Sequence, residues 1–194
     1  MDTGLDWDYD EPKSPYVFLS IYAPLYKADN VIKHFKLSEL NRKIEDLKTM
    51  FTESKQMPGY KADEDEPILG LNSNSLASQR AYDLGYMFFE WDIDKFCPSL
   101  EEILSLGDIV SVTGRGYHAI KSDIIPFDMA SARQMTVKCC EGFTKCTHDK
   151  GYSTLRVSPK EGRPIKIIKY TDGLLYNVYK QLVLEFGGIY EPIS

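Results

Sequence analysis

The chain has 194 residues, 43% of them apolar and 27% charged, with a formal net charge of −6. That composition suffices for a folded core. No run of about eighteen apolar residues and no basic-then-apolar leader is present, so a membrane span and a secretory signal are both excluded as readings and a soluble, intracellular, cytoplasmic protein is expected.

Residues 1–15 are acidic and Pro-containing and are expected to be poorly ordered, after which Tyr16 to Tyr22 reads as a strand. Leu37, Leu40, Ile44, Leu47 and Met50 recur at helical spacing and predict a helix of about four turns. The polar stretch from Glu53 to Glu66, with Pro58 and Gly59, predicts a loop. Asn74 or Ser75 is placed to cap a second helix ending near Gly85. Phe88 to Asp94 then forms an aromatic and β-branched strand, Ser99 with Glu102 makes a capping box, and Gly107 closes the short helix that follows.

Ile109 to Thr113 and Tyr117 to Lys121 read as strands around the tight turn Gly114-Arg115-Gly116. Pro126 to Lys138 is expected to be helical and the Cys/His segment 139–149 a loop. Ser153 to Ser158 and Pro164 to Tyr170 are expected to form a hairpin around Pro159 to Arg163. Gly173 to Phe186 is the clearest amphipathic helix, with Leu175, Val178, Tyr179, Leu182 and Phe186 on one side. Helices and strands mix in order, so the fold class is α+β, or mixed α/β.

Chemistry concentrates after residue 85. In Trp91-Asp92-Ile93-Asp94 a strand alternation would bury Trp91 and Ile93 and bring both carboxylates out on the other face. Two such anions repel unless a cation lies between them, and hard oxygen ligands suit Mg²⁺ or Mn²⁺. Thr113-Gly114-Arg115-Gly116-Tyr117-His118 sets a histidine just past a glycine-flanked turn where backbone N–H groups and Arg115 can face a phosphate. Thr154, Arg156 and Ser158 alternate on one strand face with Lys160 close by, a pattern suited to gripping a triphosphate. Asp149 precedes that strand and could supply a third carboxylate.

The charge distribution agrees. Residues 109–170 hold 11 Lys+Arg against 5 Asp+Glu, a basic stretch inside an acidic chain, which suits a localised polyanion site. Cys97, Cys139, Cys140 and Cys146 are expected as thiols rather than a disulfide framework. Cys140, Cys146 and His148 also form a candidate zinc set, although the Cys139-Cys140 adjacency makes poor chelation geometry and thiols fit the spacing better.

In their order, these pieces resemble the catalytic core of the archaeo-eukaryotic primase superfamily, the primase-polymerases, over roughly residues 80–170. Asp92-Ile93-Asp94 is similar to that family's Asp-x-Asp strand end, Thr113 to His118 to its small-residue turn leading to histidine, and Asp149 with the Arg156 strand to its third motif, with His148 where an aliphatic residue usually stands. The resemblance implies an N-terminal αβ module, about residues 16–85, packed on an RRM-like catalytic module, about residues 86–190, in a single catalytic domain. It further implies that Asp92, Asp94 and Asp149 bind two Mg²⁺ or Mn²⁺ ions and that His118, Arg115, Arg156, Ser158 and Lys160 contact the nucleotide. The implied activity is template-directed nucleotidyl transfer, by a DNA primase or DNA-directed polymerase, on single-stranded DNA with nucleoside triphosphates. A non-catalytic nucleic-acid-binding module of the same fold and a metal-dependent nuclease are the alternatives. No Gly-x-x-x-x-Gly-Lys-Ser/Thr loop is present, so a helicase would act in trans.

Overall fold

Period-two alternation along Tyr16–Ala23 puts Val17, Leu19, Ile21 and Ala23 on one buried face and leaves Tyr16, Phe18, Ser20 and Tyr22 on the other. In the computed structural model, which describes residues 13–24, 28–79 and 83–194, this strand, β1, lies inside a four-stranded antiparallel sheet. Its neighbours are β2 (Ala28–Lys36) on one side and β3 (Ile68–Asn72) on the other, and β3 in turn pairs with β7 (Thr154–Arg156). The helix α1 (Leu40–Gln56) buries Leu40, Ile44 and Leu47 of the expected stripe, with Phe51 buried in place of Met50, which is partly buried, and Leu37 preceding the helix. It runs one and a half turns beyond Met50, into the segment expected to be loop, and Ala62–Asp65 adds one further helical turn, α2.

The second sheet has five strands in the order β4-β6-β5-β8-β9, where β4 is Leu84–Asp92, β5 Ile109–Val112, β6 Gly116–Pro126, β8 Lys166–Lys169 and β9 Ile189–Tyr190. All its pairings are antiparallel except β8 with β9. β4 is buried from Gly85 to Phe89, and Trp91 is 1% exposed with its indole N–H donating to the Val137 carbonyl at 3.0 Å. Burying side chains of this size contributes about 1.5–3 kcal/mol each, which fixes the register of β4 against the rest of the molecule. The capping box of Ser99 and Glu102 starts α3 (Leu100–Leu106), Gly107 ends it, α4 (Phe127–Thr136) occupies the helix expected from Pro126 to Lys138, and α6 (Leu174–Glu185) buries Leu175, Val178, Tyr179 and Leu182. The molecule is therefore α+β, and among the described residues no helix is long and apolar enough to cross a membrane.

Four expectations are corrected. No helix starts at Asn74 or Ser75: residues 73–76 form turns with Leu76 at φ 58°, and Gly85 lies within β4. Ser75 does not cap because its hydroxyl accepts from the Phe18 N–H at 2.8 Å and donates to the Phe18 carbonyl at 3.1 Å, tying this turn to β1. The Cys/His segment is not a loop but α5 (Glu141–Lys150), which buries Phe143, Thr144 and Thr147 and ends on Gly151 in the left-handed conformation. The strands around Pro159 do not pair with each other: β7 joins the first sheet and β8 the second, and only Lys160 and Arg163 close a tight turn between them. The fourth concerns Ile93, which is 56% exposed because β4 stops at Asp92 and the chain turns there. The expectation for residues 1–12 lies outside the described residues, as does part of the expected helix, at 80–82.

Candidate active site

The switch between sheets makes the site. β4 leaves the first unit to open the second sheet, β7 returns to the edge of the first, and a cavity of about 410 Å³ lies between them. Ser20 and Tyr22 of β1, Gly70 of β3 and Thr154 and Arg156 of β7 line one side, and Glu90 and Asp92 of β4 with His118 of β6 line the other. Arg115, Lys160, Glu161 and Arg163 from two turns and Lys150 from the end of α5 complete it. Five cations against three carboxylates give the lining a positive excess, which the acidic chain as a whole lacks.

Of the residues expected at a site, the structure brings Asp92, Arg115, His118, Arg156 and Lys160 together around this cavity. Asp94 stands two residues past the end of β4 in an exposed turn, where its N–H donates to Asp92 Oδ1 at 3.0 Å. Asp149 does not line the cavity. It is exposed on α5 and ion-paired to Lys145 one helical turn before it, an arrangement that holds its carboxyl below the usual range; the neighbouring Lys150 takes the cavity position instead. Ser158 is also elsewhere: it is 1% exposed, and its hydroxyl accepts from the Leu69 N–H at 2.8 Å, anchoring the chain after β7 to β3.

Glu90 was not anticipated from the sequence. It lies two residues before Asp92 on the same strand face, opposite His118 in the β4–β6 ladder. Its carboxyl is pushed above the usual range, first by burial and also by the charge of Asp92, while Arg156, Lys160 and Lys95 oppose the shift. The signal was present as Glu90-x-Asp92-x-Asp94, a period-two series of which the structure keeps the first two on the strand.

His118 is 4% exposed, with Nε2 at 3.8 Å from Glu90 Oε2 and Nδ1 buried without a hydrogen-bond partner. Burial, assisted by Arg156, pulls its pKa down to about 3, so the imidazole is neutral at ordinary pH. A neutral imidazole presents one donor and one acceptor, so His118 lines the cavity as a polar group without a charge.

The turns around the cavity are built for close approach. A Cβ on Gly116 would stand 1.7 Å from the Trp91 carbonyl oxygen, and one on Gly114 would stand 2.1 Å from Cδ of Arg163. Glycine at these positions lets β6 start hard against β4 and lets the Arg163 side chain lie across the turn. Glu161, at φ 52°, ion-pairs with Arg163, reaches Arg115 at 3.5 Å and donates its N–H to Glu66 at 2.6 Å. Arg163 also donates to the Gly114 carbonyl at 3.4 Å, so the two turns are tied together across the mouth.

Among the described residues no group of three or more His, Cys, Asp or Glu side chains converges closely enough to hold a metal ion. Cys140 stands half-buried just before α5, whereas Cys146 and His148 are exposed two residues apart on the helix and point to different sides. No family model, curated protein or solved structure matches this chain.

Proposed function

We propose that this chain is a template-directed nucleotidyltransferase, a DNA primase or primase-polymerase that joins nucleoside triphosphates on single-stranded DNA, with the cavity between the two sheets as its active site. The observation that carries this reading is the meeting of Glu90, Asp92, the neutral His118 and a set of five cations from separate segments around one cavity. Phosphoryl transfer asks little covalent chemistry of a protein and much positioning and charge neutralisation. The guanidinium forks of Arg156 and Arg163 match phosphate oxygens, and Lys160, Lys150 and Arg115 add point charges around them. His118 can donate one hydrogen bond to a phosphate oxygen without adding a charge.

Glu90 and Asp92 fit a divalent ion by their chemistry. They are neighbouring carboxylates on one strand face, the charge of Asp92 adds to the cost of ionising the buried Glu90, and a hard cation relieves that repulsion. Mg²⁺ or Mn²⁺ bound there would neutralise phosphate charge and polarise the phosphoryl group. Asp94 borders this pair, and Asp149 has no part in the proposed set. Two sheets flanking a cavity are compatible with the modular arrangement that the primase resemblance implies, with the difference that β7, from the segment after residue 85, completes the first sheet. A helicase acting in trans remains part of the proposal.

The positive excess of the lining, which would hold a polyanion without any chemistry, favours one second reading, a nucleic-acid-binding module without catalysis. Incubation of the protein with single-stranded DNA, labelled nucleotides and Mg²⁺ or Mn²⁺ separates the two. Oligonucleotide synthesis or extension that is lost in Asp92→Ala/Asp94→Ala supports the enzyme; no incorporation, or incorporation undiminished in that variant, refutes it.

A further inference from the structure

The face of the first sheet that α1 leaves uncovered carries a row of aromatic rings that ends in the cavity. Tyr16, Phe18, Ser20 and Tyr22 project from this face of β1. His34 of β2 stands opposite Phe18 with the two rings stacked, centroids 5.9 Å apart at 26°, and Tyr16 meets the same imidazole edge-on at 6.2 Å. Tyr16 is 37% exposed, His34 is exposed, and on the side away from His34 a recess of about 230 Å³ is walled by Tyr16 and Phe18 together with Pro15 and Asn74. Lys36, paired with Tyr16, shares the face. Further along the same strand, Ser20 and Tyr22 already belong to the cavity lining, next to Thr154 and Arg156.

Rings that stack on one another at a sheet surface leave aromatic faces for a third planar group, and base stacking on such rings is tolerant of sequence. A cation at the start of the row and a positively lined cavity at its end complement a chain of phosphates. Duplex DNA hides its base faces, so the complement of a ring platform with flanking cations is an unpaired strand. We propose that this sheet face is a single-stranded DNA platform, with bases stacking on Tyr16, Phe18 and His34 and the strand continuing toward Arg156 at the cavity. The continuation into the cavity rests on the proposed nucleotidyl transfer; the binding does not.

The full chain titrated into a fluorescein-labelled twelve-residue oligothymidylate, in EDTA and without nucleotides, isolates binding from synthesis. By anisotropy, His34→Ala and Phe18→Leu should each weaken binding by about five- to a hundredfold, the range for loss of one stacked base. Phe18→Leu keeps apolar volume at a half-buried position, and His34 is exposed, so circular dichroism melts should match wild type for both. Tyr16→Trp should keep the affinity and show indole emission quenched by the oligonucleotide. Wild-type affinity in folded His34→Ala and Phe18→Leu proteins, or equal affinity for blunt duplex of the same length, would overturn the platform. Weakened binding in these variants with no incorporation by wild type would keep the platform and remove the polymerase reading. Incorporation by wild type with unchanged affinity in the ring variants would do the reverse.

Discussion

Changing His118 to Gln removes a titrating group from the buried wall of the cavity and should flatten part of the protein's response to acid. Burial, with Arg156 beside it, takes the imidazole pKa from 6.5 to about 3. Between those values the unfolded chain binds a proton that the folded chain refuses, so His118 makes stability rise with pH across the window and fall as pH drops. One proton of difference changes stability by about 1.4 kcal/mol per pH unit, and the whole window by about 5 kcal/mol. Glu90 acts with the opposite sign, because its raised pKa makes the folded state keep a proton longer as pH rises, but both proteins carry that carboxyl. Urea unfolding of the two proteins at several pH values between about 6.5 and 4.5 reads the difference directly. Wild type should lose about 2–3 kcal/mol more than His118→Gln over that range. Parallel pH slopes for the two proteins would refute a buried neutral histidine.

Arg156→Ala should weaken nucleoside triphosphate binding about ten- to a hundredfold by calorimetry, the loss of a charge-assisted pair of about 1.5–3 kcal/mol, with little change in unfolding midpoint; unchanged affinity would take the phosphates elsewhere. Gly116→Ala should destabilise by about 1–3 kcal/mol in urea, because its Cβ would meet the Trp91 carbonyl, a backbone atom that cannot move aside without parting β4 from β6. Gly114→Ala should also destabilise, because its Cβ would stand 2.7 Å from the Arg163 Cβ, which moves only with the backbone of that turn, and it should weaken triphosphate binding by displacing the Arg163 side chain from the cavity wall.

Elements whose pattern is local were legible in the sequence. The stripe of Leu40, Ile44 and Leu47 and that of Leu175, Val178 and Leu182 announce α1 and α6, and Ser99 with Glu102 announces the start of α3. The glycine-flanked turn before His118 was equally plain, and its Arg115 and His118 meet Asp92, Arg156 and Lys160 at the cavity. Helix α5 was missed because its buried face is made of Phe143, Thr144 and Thr147, and threonines read as polar. The hairpin around Pro159 was wrong because strand partners are a long-range choice: β7 finds β3, some eighty residues earlier, through Gly70, where a Cβ would collide with Thr154. The same long-range freedom hid the cavity's composition. Whether Glu90 or Asp94 shares the face of Asp92 depends on where β4 ends, and that is set by the Ile93 N–H donating to the Arg115 carbonyl as the chain turns. The place of Asp149 before the Arg156 strand suggests a part in the site, and the helix that carries it turns its carboxylate toward Lys145 instead.

The central claim, that Glu90 and Asp92 with their facing cations form a nucleotidyl-transfer centre, is tested most directly by assigning activity among the carboxylates. Incorporation of labelled nucleotide on a primed single-stranded template should be seen for wild type and for Asp149→Asn, and should fall at least about a hundredfold in Glu90→Gln and in Asp92→Asn. Full activity in Glu90→Gln with loss in Asp149→Asn, or no incorporation by wild type with either Mg²⁺ or Mn²⁺, would contradict it.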